Sequence, residues 1–329
     1  MSRPRVFVTQ PIAESALARL RARADVEVNE DSSKIIPKDR LIDGVRRADI
    51  LMPRLHDVVD REVLTANPDL KAVSSMNITQ DNIDLAAATE LGIPVTNITA
   101  MVTDATADIA FGLLLAAARN IALGDKLFRQ GVYPGSQSNH LAGYAVSGKT
   151  LGLVGFGRIG QAVARRGRGF GMNIIYCDPR RLPAEEEAKC EARHMSFEDV
   201  LREADFISLH PQLSPETRHL MSDAQFALMK KTAFIINTAR GPVIEEAALV
   251  RALQAKEIAG AGLDVYEFEP RVAPELVAMP NVVLTPHLGS GVLELRETMA
   301  HVVVDNTIAL IDGTPPVSCF NPQVLRKLF

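Results

Sequence analysis

The feature that most constrains this chain is a glycine pattern that lies directly between a strand pattern and a helix pattern. A short apolar run beginning at Thr150 ends in Gly155, and glycines recur at Gly157 and Gly160 before a helical pattern opens. In this arrangement the first glycine permits a tight turn, the second lets the backbone approach a pyrophosphate, and the third packs helix on strand. Free N–H groups and the helix dipole then face the phosphates. The pattern predicts a dinucleotide site.

The residue that ends the following strand indicates which dinucleotide is bound. A second apolar run, Ile174 to Cys177, ends in Asp178, about 20 residues after the glycines, where a carboxylate accepts hydrogen bonds from ribose hydroxyls. This favours NAD as cofactor, with NADP the alternative. A glycine-rich turn in an unrelated protein is the competing interpretation, and the strand, helix, second strand and terminal acid in register argue against it.

Composition limits the remaining classes. A chain of 329 residues, 47% hydrophobic, is long enough for two domains that each bury a core. A net charge of −4 without basic blocks predicts no nucleic-acid partner. The longest apolar run, Ile109 to Ala118, is too short to span a bilayer, so no membrane association is expected. Three scattered cysteines, Cys177, Cys190 and Cys319, suit free thiols in the cytoplasm, with no metal site.

The order of strand and helix patterns predicts the fold class. From Arg5 to about Asn97, short β-branched runs alternate with amphipathic stretches, which is typical of a parallel sheet covered by helices on both faces. A long apolar pattern from Val102 to about Gln130 then predicts one buried helix, with Asp104 and Asp108 near its start. After the glycine pattern come further alternating strands and helices, and the tail returns with strand-like Val317 to Phe320.

The fold class is therefore α/β, with two doubly wound parallel-sheet domains. We expect residues 1–100 and 293–329 to form a flavodoxin-like substrate-binding domain. Residues 101–292 are expected to form a Rossmann dinucleotide-binding domain.

Three charged side chains follow successive predicted strands of the second domain, at the end where open α/β sheets hold ligands. Arg240 can clamp a carboxylate and polarise a carbonyl, and His287 can move a proton near neutral pH. Glu269 can hold His287 in one tautomer and favour its protonated form. Each residue alone fits a solvated or turn position. Together, behind a dinucleotide fingerprint, they suit oxidation of a hydroxyl beside a carboxylate.

Several stretches resemble the D-isomer-specific 2-hydroxyacid dehydrogenases, nearest the glyoxylate/hydroxypyruvate reductase branch. The matches are G-F-G-R-I-G from Gly155, I-N-T-A-R-G ending at Gly241, L-D-V-Y-E-F-E-P from Leu263 and T-P-H-L-G-S from Thr285, with D-N-I-D from Asp81 and T-D-A-T-A-D from Thr103. The resemblance covers nearly the whole chain. It implies catalytic roles for Arg240, Glu269 and His287, with Arg240 also binding substrate. It also implies a site in a cleft between the two domains, and a homodimer. It also implies cofactor contacts from the glycine motif and beyond: Gly155, Phe156, Gly157, Arg158, Ile159, Gly160, Asp178, Thr217, Thr238 and Asp264.

The chain departs from that family in the loop before Asp81. Relatives have small residues there, whose main-chain N–H groups approach the substrate carboxylate, whereas this chain has Met76, Asn77, Ile78, Thr79 and Gln80. Thr79 is β-branched and should hold negative φ. We expect Asn77, Ile78 and Thr79 to bind substrate, either through the Asn77 amide or through the N–H groups of Ile78 and Thr79.

The sequence thus predicts an NAD(H)-dependent oxidoreductase that interconverts small 2-oxo acids, of the glyoxylate and hydroxypyruvate type, with D-2-hydroxy acids. Its partner is a small anionic substrate. Two alternatives stay open. One is a non-catalytic NAD(H)-sensing partner protein on the same fold, against which the retained Arg240, Glu269 and His287 argue. The other is a related dehydrogenase acting on another oxyanion such as phosphite, which the altered loop permits.

Overall fold

The computed structural model describes residues 3–99 and 101–325, so Met1, Ser2, Ala100 and the tail residues 326–329 lie outside the described part. Within it the chain divides into two compact units. The first unit comprises residues 1–101 and 292–329, and the second comprises residues 102–291. Both are built of short parallel strands alternating with helices, as predicted.

The first unit contains a five-stranded parallel sheet in the order β2-β1-β3-β4-β5, the order of flavodoxin-like folds. Four of its five strands are mostly buried, because helices cover both faces of such a sheet, whereas the edge strand β2 is half exposed. The elements are β1 (Arg5–Val8), α1 (Glu14–Arg21), β2 (Asp25–Val28), α2 (Lys38–Arg46), β3 (Ile50–Met52), α3 (Arg61–Thr65), β4 (Ala72–Ser74), α4 (Leu85–Glu90) and β5 (Val95–Thr96), completed by α13 (Leu293–Ile311) and α14 (Pro322–Leu325).

The C-terminal segment completes the first unit through buried polar contacts. The Thr307 hydroxyl on α13 donates to Ser74 Oγ at 2.8 Å, and Asn321 Oδ1 accepts from the Val95 N–H at 2.8 Å. The predicted strand at Val317 to Phe320 is wrong, because only one antiparallel bridge forms there, between Cys319 and Thr96. The described part of this tail contacts the first unit through Asn321 and Cys319.

The second unit contains a seven-stranded parallel sheet in the order β12-β11-β10-β9-β6-β7-β8, a Rossmann arrangement whose strand order reverses between β6 and β9. Its elements are α5 (Thr103–Ala118), α6 (Ile121–Arg129), β6 (Thr150–Val154), α7 (Arg158–Gly169), β7 (Asn173–Cys177), α8 (Ala184–Cys190), β8 (Ala192–His194), α9 (Phe197–Glu203), β9 (Phe206–Leu209), α10 (Asp223–Phe226), β10 (Phe234–Asn237), a 3₁₀ turn (Gly241–Val243), α11 (Glu246–Gln254), β11 (Gly260–Leu263), α12 (Pro274–Ala278) and β12 (Val282–Leu284).

The single helix predicted from Val102 to Gln130 is wrong, since the chain forms α5 and α6 with a 65° bend between them. Asn120 stands at the break with φ +55°, a left-handed conformation that asparagine tolerates, and its side-chain amide donates to the Leu141 carbonyl at 3.2 Å. The predicted burial holds for α5 only, because α6 buries none of its residues. No single described helix is long and apolar enough to cross a bilayer, although α5 and α6 taken together meet both criteria despite their bend.

Candidate active site

The glycine loop between β6 and α7 gives each glycine a distinct environment. Gly155 adopts φ +87°, and a Cβ there would lie 2.7 Å from the His210 carbonyl carbon. A Cβ at Gly160 would lie 2.4 Å from the Gly155 carbonyl oxygen, so this glycine permits close packing of helix on turn. A Cβ at Gly157 would meet no atom within 4 Å. The loop therefore keeps open space at the one glycine expected to face phosphate, in front of the N-terminus of α7.

Asp178, after β7, is fixed by the same loop. Its Oδ2 accepts from the Phe156 N–H at 2.8 Å and its Oδ1 from the Arg180 N–H at 2.9 Å. Of the two following arginines, Arg181 donates two hydrogen bonds to Glu187, at 2.8 and 3.0 Å. These bonds, with one from the Tyr176 hydroxyl, lower the pKa of the Glu187 carboxyl to about 2. The Arg180 side chain is exposed and has no hydrogen bond or ion pair to another described residue.

The two predicted cofactor threonines differ in how their hydroxyls are used. Thr217 Oγ1 donates to the Gln212 carbonyl at 2.6 Å and accepts from the Ser214 N–H at 2.8 Å, which shapes its own turn. Thr238 Oγ1 is buried and has no partner among the described residues. A buried hydroxyl without a partner is costly, so Thr238 is the better placed of the two to meet a ligand.

The sequence interpretation gave no role to His210, which follows β9 beside Gly155. Its Nε2 lies 2.9 Å from Ser208 Oγ, while its buried Nδ1 has no partner among the described residues. Burial lowers the pKa of His210 to about 3, so the ring is neutral at physiological pH. Its position directly after the apolar run that forms β9 was the available signal.

Arg240 follows β10, and the backbone on either side of it is tightly fixed. The buried Asn237 side chain donates to the Arg240 carbonyl at 3.0 Å and accepts from the Ala239 N–H at 3.0 Å. A Cβ at Gly241 would lie 1.8 Å from the Tyr266 carbonyl oxygen. The Arg240 guanidinium donates to the Ala239 carbonyl at 2.7 Å. The strand end thus sets where this cation leaves the backbone.

Glu269 and His287 are brought into contact from loops after β11 and β12. His287 Nδ1 lies 3.1 Å from Glu269 Oε2, and Glu269 Oε1 accepts from the Tyr266 N–H at 3.0 Å. His287 has φ +53°, a left-handed conformation that is uncommon for residues with a side chain. Because β10, β11 and β12 are neighbours in the sheet, Arg240, Glu269 and His287 follow three adjacent strands.

Asp264 organises the loop that carries His287. Its Oδ1 accepts from the Thr285 hydroxyl at 2.6 Å and the Leu288 N–H at 2.7 Å, and its Oδ2 accepts from the Gly289 N–H at 2.8 Å. Burial raises the pKa of this carboxyl against these hydrogen bonds. The carbonyl of Asp264 also accepts from the His287 N–H at 3.0 Å. These contacts give Asp264 a positioning role beside its predicted contact with cofactor.

The loop predicted to bind substrate lies in the first unit, after β4. The Asn77 amide donates to Asn82 Oδ1 at 3.0 Å, and Thr79 Oγ1 donates to Asp81 Oδ2 at 2.9 Å. Thr79 is not among the described residues with positive φ, as its β-branched side chain predicts. Met76 is buried, so its bulk occupies the unit's interior. Asn77, Ile78 and Thr79 as substrate contacts stay a prediction.

Comparison with known proteins shows which family the chain is similar to. The family model "D-isomer specific 2-hydroxyacid dehydrogenase, NAD binding domain" matches residues 111–289. A glyoxylate reductase from Thermococcus litoralis is 45% identical over 99% of both chains. Among solved structures, a protein from Thermus thermophilus is similar at TM-score 0.88 and 41% identity, covering 96% of this chain and 99% of that one. A glyoxylate reductase from Paecilomyes thermophila is similar at TM-score 0.82 and 32% identity, covering 98% and 100%.

Proposed function

Because the chain belongs to the D-isomer-specific 2-hydroxyacid dehydrogenases, we propose that it reduces small 2-oxo acids of the glyoxylate and hydroxypyruvate type to D-2-hydroxy acids, with NADH as reductant. The observation that carries this proposal is the contact of His287 Nδ1 with Glu269 Oε2 at 3.1 Å, on the loops after β12 and β11, which follow β10, the strand before Arg240, in the order of the sheet. The retained histidine–carboxylate pair argues against a non-catalytic sensor.

Each of the three residues would have its own role in the reaction. NADH, when bound, supplies the hydride for the carbonyl carbon. Protonated His287 gives its proton to the carbonyl oxygen, and since Nδ1 faces Glu269, we assign the transfer to Nε2. Arg240 binds the substrate carboxylate and stabilises the negative charge that develops on the carbonyl oxygen. Glu269, held by the Tyr266 N–H, orients the ring and favours its charged form.

The glycine loop suits a dinucleotide, because the space at Gly157 and the N-terminus of α7 would receive the pyrophosphate. Asp178 supports NAD rather than NADP, because its carboxylate would repel a 2′-phosphate. Arg181 is paired with Glu187, so the exposed Arg180 is the nearby cation that could reduce the preference for NAD.

The test of the proposal is NADH consumption across a panel of 2-oxo acids, repeated with NADPH. We expect turnover of glyoxylate and hydroxypyruvate, and a higher kcat/KM with NADH. Asp178→Ala should narrow the gap between the two cofactors, and Arg180→Ala, the matched control, should leave it or widen it. Equal or better kcat/KM with NADPH in the unmodified protein contradicts the assignment, and phenylpyruvate turning over better than glyoxylate contradicts the small-substrate proposal.

We also propose a homodimer in the cytoplasm. Helix α6 and the segment after it expose a run of large apolar side chains: Ile121 (57%), Phe128 (64%), Val132 (45%) and Tyr133 (73%). Exposed apolar clusters of this kind mark interaction surfaces, and a second copy of the chain fits one that continues along a helix. The three cysteines are free, which suits a reducing compartment. Sedimentation of Phe128→Asp against the unmodified protein tests the dimer, since a monomer is expected only for the variant.

A further inference from the structure

Two consecutive residues of the second unit, Tyr266 and Glu267, lie between two residues assigned to the reaction. Their peptide group packs against Gly241, since a Cβ on that glycine would lie 1.8 Å from the Tyr266 carbonyl oxygen and 2.5 Å from the Glu267 nitrogen. Gly241 directly follows Arg240. In the other direction, the Tyr266 N–H donates to Glu269 Oε1 at 3.0 Å. A shift of this peptide group would therefore displace both the backbone beside Arg240 and the Glu269 carboxylate.

The Glu267 side chain fixes this peptide group to the start of α11. Its Oε2 accepts from the Glu246 N–H at 2.9 Å, and Glu246 Oε2 accepts in return from the Glu267 N–H at 3.2 Å. Glu246 Oε1 also accepts from the Ala273 N–H at 2.8 Å, farther along the same loop. The two side chains are withdrawn from water, with Glu246 7% exposed and the Glu267 side chain 5% exposed. Because buried carboxylates bonded to main-chain N–H groups are costly to displace, this pair holds the loop in one position.

Two basic side chains face the other oxygen of Glu267. His219 Nε2 lies 2.6 Å from Glu267 Oε1, and Arg218 Nη2 lies 3.5 Å from the same oxygen. His219 has φ +53°, and its N–H donates to the Pro242 carbonyl at 2.8 Å, so this turn is itself bonded to the chain that follows Arg240. A buried carboxylate needs such partners to keep its charge. Glu267 thus joins three loops of the second unit, which follow β9, β10 and β11.

We infer that Glu267 is a positioning residue for the reaction: its carboxylate holds the peptide group through which Glu269, and with it the ring of His287, is placed. The inference rests on the proposed function, in which His287 is the proton donor. Glu267 acts through the main chain of residues 266 and 267 and needs no contact with substrate. A purely structural anchor would change the unfolding temperature alone, whereas a positioning residue also changes kcat and the state of the His287 ring.

Glu267→Ala removes both carboxylate oxygens and should lower kcat for glyoxylate reduction by roughly ten- to a hundredfold, the cost of misplacing reacting groups by about 1 Å. NADH affinity should hardly change, because the glycine loop is untouched. Glu267→Gln keeps an oxygen that can accept from the Glu246 N–H, so it should restore most of the lost kcat. Steady-state kinetics and NADH fluorescence titration measure these effects, at a temperature where circular dichroism shows every variant to be folded.

Asp205→Ala is the matched control. The Asp205 carboxylate also accepts from a main-chain N–H, that of Thr150 at 3.0 Å, and also pairs with a cation, Lys230 at 2.9 Å. These residues lie at the amino ends of β6 and β9, away from the loops that follow the strands. Asp205→Ala should therefore lower the unfolding temperature and leave kcat unchanged. If it lowers kcat as much as Glu267→Ala does, the inference is overturned.

A second readout needs no turnover, which separates this inference from the proposed function. Because Nδ1 of His287 lies 3.1 Å from Glu269 Oε2, the neutral ring should carry its proton on Nδ1. Nitrogen-15 NMR of histidine-labelled protein reports the tautomer, and His287→Ala identifies the signal. Glu267→Ala should shift the ring towards the Nε2–H tautomer. Such a shift supports the inference even if no 2-oxo acid is reduced. An unshifted ring in folded Glu267→Ala overturns it, as does an unchanged kcat in a protein that turns over.

Discussion

Two loops of this molecule occupy equivalent places and are built in opposite ways. Residues 155–160 follow β6 of the second unit, and residues 75–80 follow β4 of the first, each at the carboxyl end of a parallel sheet. The first loop is made by glycines, and their environments separate a turn, a close approach and a packing contact. The second loop is held by polar side chains that bond to near neighbours, such as Asn77 to Asn82. In the glycine loop, the residue type itself indicates that the backbone can approach a ligand. In the loop at residues 75–80, the availability of backbone N–H groups depends on the conformation that the side-chain hydrogen bonds impose.

The largest effect is expected in the second unit, where His287 is the proposed proton donor. His287→Ala should lower kcat for 2-oxo acid reduction by roughly 10² to 10⁴-fold, the usual contribution of a positioned general acid. NADH affinity should hardly change, since the glycine loop is untouched. Steady-state kinetics and NADH fluorescence titration measure the two effects. A kcat within about fivefold of the unmodified protein would exclude His287 as the acid.

Two substitutions separate the roles of the glycines in the loop between β6 and α7. Gly157→Ala adds a methyl group where the protein has open space, so thermal stability should be unchanged while NADH binding weakens by roughly ten- to a hundredfold through crowding of the pyrophosphate. Gly160→Ala is the matched control and should instead lower the unfolding temperature, because its Cβ would overlap the Gly155 carbonyl oxygen. If Gly157→Ala destabilises the fold as much as Gly160→Ala, the division of roles is wrong.

Glu269→Gln should have a smaller effect. The amide oxygen can still accept a hydrogen bond from the ring, but it lacks the charge of the carboxylate that lies 3.1 Å from His287 Nδ1. We expect kcat for reduction to fall by roughly ten- to thirtyfold, the value of one hydrogen bond to a charged group, with NADH affinity hardly changed. Steady-state kinetics measure the change, and an unchanged kcat would remove Glu269 from this role.

The smallest effect is expected in the first unit's loop. Asn77→Ala should raise KM for the 2-oxo acid by roughly tenfold, the value of one hydrogen bond to a charged group, with NADH affinity unaltered. Thr79→Gly is the companion variant, since it restores the small residue typical of relatives. An unchanged KM in Asn77→Ala would assign carboxylate binding to the N–H groups of Ile78 and Thr79. Both loops would then bind their ligands through backbone N–H groups.

The features that were predictable from the sequence are those that local residue types determine. The alternation of strands and helices, the glycine loop and the acid after β7 were predictable because local residue types determine them. The break at Asn120 was not, since a left-handed residue inside an apolar pattern leaves no change in periodicity. Strand β8, with its half-exposed, charged sequence, was missed for lack of an apolar run. The pairing of Arg181 with Glu187 and the three hydrogen bonds to Asp264 depend on folded geometry and left no sequence signal.

The completion of the first sheet by Thr307 and Asn321 has a consequence for biosynthesis. The second unit is continuous in the chain, so it can fold as soon as residue 291 has left the ribosome. The first unit cannot: its strands β1 to β5 are made first, yet Ser74 and the Val95 N–H obtain their partners only from residues translated after the second unit. At ordinary elongation speeds the gap of roughly 200 residues lasts about 10 to 40 seconds. During this interval the strands of the first sheet stay on the nascent chain without these partners, and the earliest part of the polypeptide is the last to reach its native state.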